Sequence, residues 1–343
     1  MKSESDRLAH NARITLEVSC CLKPGETVVI LTKHTDTRYT TGDKLLMYSR
    51  ALADAAAEMG ALPTILDVTH FLSSETYESG GAIKPIREAL HSADVVIATM
   101  DQVRVNQLVG REDNDDEFLT AGTRRMSLQG NGMELWELDR EKVAAIRPRT
   151  QKLIGLLRSA KTVRVTSPAG TDFTFGMGEG SKALPILGIV PLYGEVATTG
   201  RQGSENGTIV VDGSTQMRVR RSDELDRPPL RIEVADGRVT DYTGDAEQVE
   251  RLRAFISSGD PPADAIDEIG IPTTRIPEND KYWWSDGTHQ CHTVHIALGN
   301  NLRRATHVHG PRHMDGEVIN PTVEIDGTLV LKNAEFTGPL ALG

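Results

Sequence analysis

The sequence predicts an α/β protein in which a parallel-sheet α/β domain precedes a β-rich α+β domain. Helical and strand-like segments alternate over the first half of the chain, which is typical of parallel strands joined by helices. From about residue 162, short β-like segments follow one another across glycine and aspartate turns, which favours antiparallel sheet. The 343 residues are enough for two hydrophobic cores, and this change of pattern near residue 162 divides the chain into domains 1–160 and 161–343.

The N-terminal elements follow from apolar runs and from the residues that end them. Lys23-Pro24-Gly25-Glu26 is a turn, and Gly60 is a good helix terminator. The helices are expected at 5–21, 43–60, 84–92 and 140–159, and the strands at 27–31, 63–68, 95–98 and 163–165. A GxGxxG or GxxxxGK[ST] motif is missing from the sequence, so we interpret the N-terminal domain as structural or oligomerising rather than nucleotide-binding.

The C-terminal elements are separated by turn dipeptides. Asn206-Gly207, Asp212-Gly213, Asp236-Gly237 and Asp326-Gly327 bound short β-like segments. One helix, expected at about 245–258, interrupts them. This texture predicts a mainly antiparallel sheet carrying one or two helices.

Composition excludes several classes of partner. The net charge of −11 argues against binding nucleic acid or an anionic membrane, because both need a basic face. The longest apolar runs fall short of the roughly 20 residues that span a bilayer, and the polar N-terminus lacks the apolar core of a signal peptide. Three cysteines, two of them adjacent, are a poor disulfide framework. We therefore expect a cytoplasmic protein that acts on a small molecule.

Histidines are concentrated near the C-terminus. Six of the ten lie between positions 289 and 313, and Asp315 follows the last of them by two residues. Imidazole is the commonest side-chain metal ligand. In an extended segment, His313 and Asp315 would point to the same side. The sequence therefore predicts a metal site.

Two glutamates and one further histidine lie in unusually apolar segments. Glu195 ends a stretch of aliphatic and glycine residues, Glu268 lies among isoleucines, and His295 lies within a β-like segment that ends at Gly299. A buried carboxylate needs a partner, and a metal ion is one such partner. Three carboxylates and two imidazoles could hold one or two divalent ions.

These segments, in this order, resemble the aminopeptidase T family of metallopeptidases with paired metal ions. The matching motifs are Gly194-Glu195-Val196, Asn206-Gly207-Thr208-Ile209-Val210, Glu268-Ile269-Gly270-Ile271, His295-Ile296-Ala297-Leu298-Gly299 and His313-x-Asp315. The resemblance implies a dimeric protein whose metal ligands are Glu195, Glu268, His295, His313 and Asp315, with Glu195 as the bridging carboxylate. The resemblance covers residues 160–336. In the N-terminal half only the general pattern of the sequence is similar, and no motif matches.

The chain departs from the peptidase pattern at two points. The family has a tyrosine shortly after the segment that corresponds to His295–Gly299, whereas Asn300-Asn301-Leu302-Arg303-Arg304 follows here. The interval from His295 to His313 is also short for the family. A related branch of the fold, 2,5-dihydroxypyridine dioxygenase, uses two histidines and one carboxylate for non-haem Fe(II). That branch matches at His313 and Asp315 but has its other histidine where this chain has Glu268.

The leading hypothesis is a hydrolase of an amide or peptide-like bond that uses Zn, Co or Mn ions and metal-activated water. The alternative is an Fe(II) ring-cleaving dioxygenase, and a third is a non-catalytic metal-stabilised domain. Glu195 is the expected catalytic carboxylate, and His309 is the expected proton shuttle. Trp283 and Trp284 are adjacent in a polar loop and could form an aromatic wall for the substrate.

Overall fold

The computed structural model describes residues 3–35, 41–69, 84–99, 123–128, 137–187, 194–213, 228–257, 263–274, 293–299 and 313–341. The chain forms two compact units, Met1–Ala144 with Leu187–Tyr193, and Ala145–Ile186 with Gly194–Gly343. The division between them falls within one helix, and the domain boundary at residue 160 stays a prediction. In the part of the chain that is described, no helix is long and apolar enough to cross a membrane.

The first unit contains a four-stranded parallel sheet of order β2-β1-β3-β4. Its elements are α1 (Glu4–Ile14), β1 (Thr27–Thr32), α2 (Gly42–Glu58), β2 (Leu62–Asp67), α3 (Lys84–His91), β3 (Val95–Ala98) and β4 (Arg124–Ser127). In β1, Val28 and Ile30 pack into one hydrophobic cluster, whereas Val29 and Leu31 pack into another. Both faces of the strand are therefore covered, which explains its unbroken apolar run.

One helix of this unit differs from its predicted length. The expected helix at 5–21 is α-helical only to Ile14 and continues as a π-helical turn over Thr15–Ser19. The Thr15 hydroxyl donates a 2.7 Å hydrogen bond to the Asn11 carbonyl. Side-chain bonds of this kind bend helices and compete with the regular backbone ladder.

The described strands of the second unit form two sheets. Helix α4 (Arg140–Ser159) begins in the first unit and ends in the second, and α5 is Ala246–Ser257. The eight-stranded sheet has the order β11-β10-β9-β6-β5-β15-β16-β17, and the five-stranded sheet has the order β14-β13-β12-β8-β7. The strands are β5 (Thr162–Thr166), β6 (Asp172–Gly176), β7 (Lys182–Leu187), β8 (Gly194–Thr199), β9 (Asn206–Val211), β10 (Leu230–Ala235), β11 (Arg238–Thr243), β12 (Ile266–Pro272), β13 (Thr293–Gly299), β14 (His313–Ile319), β15 (Thr322–Ile325), β16 (Thr328–Lys332) and β17 (Glu335–Phe336). The predicted fold class, a parallel-sheet α/β region followed by a β-rich region, is confirmed.

The five-stranded sheet has one apolar face and one polar face, although both are buried. Its apolar face joins the eight-stranded sheet in one hydrophobic core, to which it contributes Ile269, Ile271, Ile296, Leu298 and Val318 among others. Because side chains alternate along a strand, the residues between these face the opposite side. That opposite face carries the candidate metal ligands.

Candidate metal centre

His295 lies at the middle of a buried group of carboxylates. Its Nδ1 is 3.2 Å from Oε2 of Glu195, and its Nε2 is 3.4 Å from Oε1 of Glu268. The same Nε2 is 3.9 Å from Oδ1 of Asp315. None of the four residues is more than 7% exposed. Four of the five predicted metal ligands, each on a different strand, thus lie close together.

The strand register places these side chains on one face. Glu268 pairs with Ala297, and Ala297 pairs with Asp315, so Glu268 and Asp315 lie in one row across three strands. Gly270 pairs with His295 in the adjacent row. A residue two positions along a strand faces the same side, so the two rows share a face.

A β-bulge in β12 sets which of its residues face the site. The register shifts between Ile266 and Glu268. Ile266 packs in the hydrophobic core with Ile269, although strict alternation would place it on the same side as Glu268. The bulge therefore lets one short strand contribute apolar side chains to the core and a carboxylate to the site.

The electrostatics of the site are dominated by its carboxylates. Burial lowers the pKa of His295, but the negative charges of Glu195 and Asp315 and hydrogen bonds with Glu195 and Glu268 raise this pKa well above its ordinary value. Without a metal ion, the imidazole is therefore the cation that partly balances the carboxylates. A metal ion would replace that proton, because a histidine ligand binds metal in its neutral form.

The donor set fits a divalent metal. Ligand atoms of Glu195, Glu268 and His295 all lie within 4.8 Å of one another. Carboxylate and imidazole donors suit Zn, Mn, Co and Fe(II), so this chemistry does not select one metal.

Several predicted residues are not tested by this geometry. His313 begins β14, where its backbone pairs with Gly299, but its side chain lies outside the described residues. His309, Trp283 and Trp284 also lie outside them. The metal-binding role of His313, proton transfer by His309 and substrate contact by the tryptophans stay predictions.

Glu317 is a buried carboxylate that the sequence reasoning missed. It is fully buried, and it pairs in register with His295 on the same face of the sheet. Its side chain packs against Gly213, where an added Cβ would lie 2.6 Å from the Cβ of Glu317. The signal was present in the sequence, because residues 313, 315 and 317 alternate as ligand-type side chains along one strand.

Comparison with known proteins assigns the family. The family model described as NicX, 2,5-dihydroxypyridine 5,6-dioxygenase, matches residues 9–338. The chain belongs to the NicX family. A search of curated protein sequences finds no significant match.

Two solved structures resemble this NicX-family chain along almost its whole length. One is 2,5-dihydroxypyridine dioxygenase from Pseudomonas putida KT2440, with a TM-score of 0.65 and 17% identity over 98% of this chain and 97% of that one. The other is wild-type AmpT from Thermus thermophilus, with a TM-score of 0.60 and 14% identity over 97% of this chain and 99% of that one. At these identities the likeness shows a shared fold. The two branches expected from the sequence are thereby both found among its structural relatives.

Proposed function

We propose that the chain is a metal-dependent hydrolase that cleaves an amide or peptide-like bond in a small substrate. The observation that supports this proposal is the convergence of three buried carboxylates, Glu195, Glu268 and Asp315, on one imidazole. These four donors, with His313 as an expected fifth, are enough to hold two ions of the kind that activate water for hydrolysis.

Charge balance favours two ions over one. With a neutral His295, the three carboxylates carry three negative charges in a buried site. Glu317, fully buried on the same face of the sheet, adds a fourth carboxylate. One divalent ion would leave two of the four negative charges without compensation, whereas two divalent ions would match all four. Buried charge that is not offset is costly, so the donor set is better matched to a pair of ions.

The roles of the protein groups follow from this assignment. Glu195, Glu268, His295 and Asp315 would hold the ions together with His313. When bound, the ions would supply Lewis acidity for the substrate carbonyl and would activate water. We assign proton transfer to the Glu195 carboxylate and the His309 imidazole. Trp283 and Trp284 would contact the substrate.

The substrate we propose is specialised. The peptidase branch has a tyrosine shortly after the strand that corresponds to β13, and this sequence lacks one at residues 300–304. Loss of a group that stabilises the oxyanion lowers rates by roughly 10²- to 10³-fold. We therefore expect slow cleavage of ordinary aminoacyl amides and faster turnover of a small amide that fits beside the tryptophans.

A second candidate is an Fe(II) ring-cleaving dioxygenase, which the NicX family match favours. The substrate named by that family is 2,5-dihydroxypyridine. In this case His295, His313 and Asp315 would form a set of two histidines and one carboxylate. Glu195 and Glu268 would then be two additional carboxylates without a place in the ligand set.

A variant of Glu195 separates the two candidates. Protein reconstituted with Zn²⁺, Mn²⁺ or Fe²⁺ is assayed for hydrolysis of aminoacyl amides and for oxygen uptake with 2,5-dihydroxypyridine. For the hydrolase, Glu195→Gln lowers turnover by roughly 10²-fold or more, because the variant removes both a ligand and a proton acceptor. Oxygen uptake that depends on the pyridine and survives Glu195→Gln would instead establish the dioxygenase.

The matched control is Glu233→Gln. Glu233 is a partly exposed residue on β10 that pairs with Arg231. The control makes the same chemical change on the other sheet and should leave turnover unchanged. A homodimeric state and a cytoplasmic location stay predictions, of which the first is tested by sedimentation of the purified protein.

A further inference from the structure

The imidazole of His295 reaches across a neighbouring strand. His295 lies on β13, whereas Glu195 lies on β8, and β12 separates the two. Neighbouring strands lie about 4.8 Å apart, so β13 and β8 are separated by roughly 9.6 Å. His295 Nδ1 is nevertheless 3.2 Å from Glu195 Oε2. The ring must therefore extend over the backbone of β12.

The point at which the ring crosses β12 is Gly270. This residue pairs with His295 on one side and with Ala197 on the other. A Cβ added to Gly270 would lie 2.0 Å from Cε1, 2.4 Å from Nδ1 and 2.5 Å from Nε2 of His295. Any side chain at position 270 would occupy the space that the imidazole fills.

The backbone does not itself require glycine at this position. Gly270 is absent from the glycines with positive φ, which include Gly299 at the end of the neighbouring strand. An L-residue could adopt its conformation, so the constraint is one of space. Nor can the ring readily move aside, since His295 is 2% exposed and contacts Glu195 and Glu268 through its two nitrogens.

We propose that Gly270 is a positioning residue for the metal centre: its missing side chain allows the His295 imidazole to lie over β12 between Glu195 and Glu268. The inference rests on the proposed function in so far as these groups bind metal. Its geometric part, the dependence of the ring position on residue 270, holds for the metal-free protein as well.

The test is a double-mutant cycle of Gly270→Ala and His295→Ala. Zn²⁺ affinity is measured by competition with a chromophoric chelator. Changes to groups that orient a metal ligand typically lower metal affinity about 10- to 100-fold, and we expect a loss of at least this size for Gly270→Ala. In the His295→Ala background the ring is gone, and Gly270→Ala should cause no further loss. Equal losses in both backgrounds would overturn the proposal.

Gly316→Ala is the matched control for crowding. Its added Cβ would lie 2.6 Å from Cγ2 of Val211, on the apolar face of the same sheet. This variant should lower the unfolding temperature while retaining Zn²⁺ affinity. If Gly316→Ala abolished binding as Gly270→Ala does, a general disturbance of the sheet would account for both results and the proposal would fail.

The same cycle on metal-free protein distinguishes failure of this inference from failure of the proposed function. The unfolding temperature should fall with Gly270→Ala in the wild-type background and change far less when His295 is alanine. If wild-type protein bound no metal but this coupling remained, the positioning role would stand and the proposed function would fall. If wild-type protein bound metal and the coupling were absent, the proposed function would stand and the positioning role of Gly270 would fall.

Discussion

Replacing His295 with glutamine should strongly destabilise the metal-free protein. The three contacts from its nitrogens to carboxylate oxygens measure 3.2, 3.4 and 3.9 Å. At an effective dielectric constant of 20, each corresponds to about 4–5 kcal/mol of attraction between unit charges. Because burying the imidazolium opposes this attraction, the net loss is smaller. Removing one partner from a buried ion pair costs about 3–5 kcal/mol, and we expect His295→Gln to fall in that range.

Calorimetry of chelator-treated protein measures this effect. For a unit of this size, each kcal/mol shifts the unfolding temperature by roughly 2–4 °C, so the transition of the second unit should fall by about 6–20 °C. Arg164→Gln is the control, because Arg164 pairs with Asp172 at 2.8 Å within the same unit but on its exposed surface. An exposed pair contributes about 1 kcal/mol or less, so the control should shift by no more than a few degrees.

The comparison tests whether burial, rather than distance, sets the energy of these contacts. The control pair is shorter than any contact of His295, yet its loss should matter less. An unchanged unfolding temperature for His295→Gln, or an equal shift for Arg164→Gln, would refute the reasoning.

Three further predictions concern metal binding and pH. Asp315→Ala and His313→Ala should each abolish turnover while the circular dichroism spectrum stays near that of the wild type, and full activity after either change would remove that residue from the ligand set. Treatment with a chelator should lower the unfolding temperature, and divalent metal added at 100 times its Kd should restore about 2.7 kcal/mol of stability. An unfolding temperature that is the same with and without metal would contradict a metal site in the folded protein. Hydrogen bonds from the Thr27 amide and hydroxyl lower the pKa of Asp94, so the stabilisation from this carboxylate is present above its unfolded pKa of about 3.9 and is lost as pH falls through the lower folded value. Urea midpoints of wild type and Asp94→Asn should therefore differ at pH 7, and the difference should shrink as pH falls from about 4 through the folded pKa. A difference that stays constant over this whole range would contradict the assignment.

Much of the first unit follows from sequence because its signals are local. The run Val28-Val29-Ile30-Leu31 is buried on both faces, and such a run identifies a parallel strand without knowledge of its neighbours. Helix α4 was also expected at its observed bounds, despite Pro148 within it. The π-helical turn over Thr15–Ser19 is not predicted, because the apolar periodicity that identifies a helix does not distinguish α-helical from π-helical hydrogen bonding.

The order of strands in the second unit could not be read from the sequence. β5 pairs with β15, so Val163 lies beside Ile325, although more than half of the second unit separates them in the chain. Local patterns identify strands but carry little information about such distant pairing. The site was easier to anticipate than the sheets, because ligand-type residues in apolar segments are conspicuous whatever their partners. Glu317 is not predicted because it is not among the residues that carry the family resemblance.

Metal content tests the central claim most directly. Protein purified without added metal is analysed by mass spectrometry of its metals, with Glu195→Gln and Glu233→Gln in parallel. The proposed hydrolase predicts about two zinc, cobalt or manganese ions per chain, fewer in Glu195→Gln and an unchanged number in Glu233→Gln. One iron per chain, unaltered by Glu195→Gln, would contradict the paired-metal account and favour the dioxygenase.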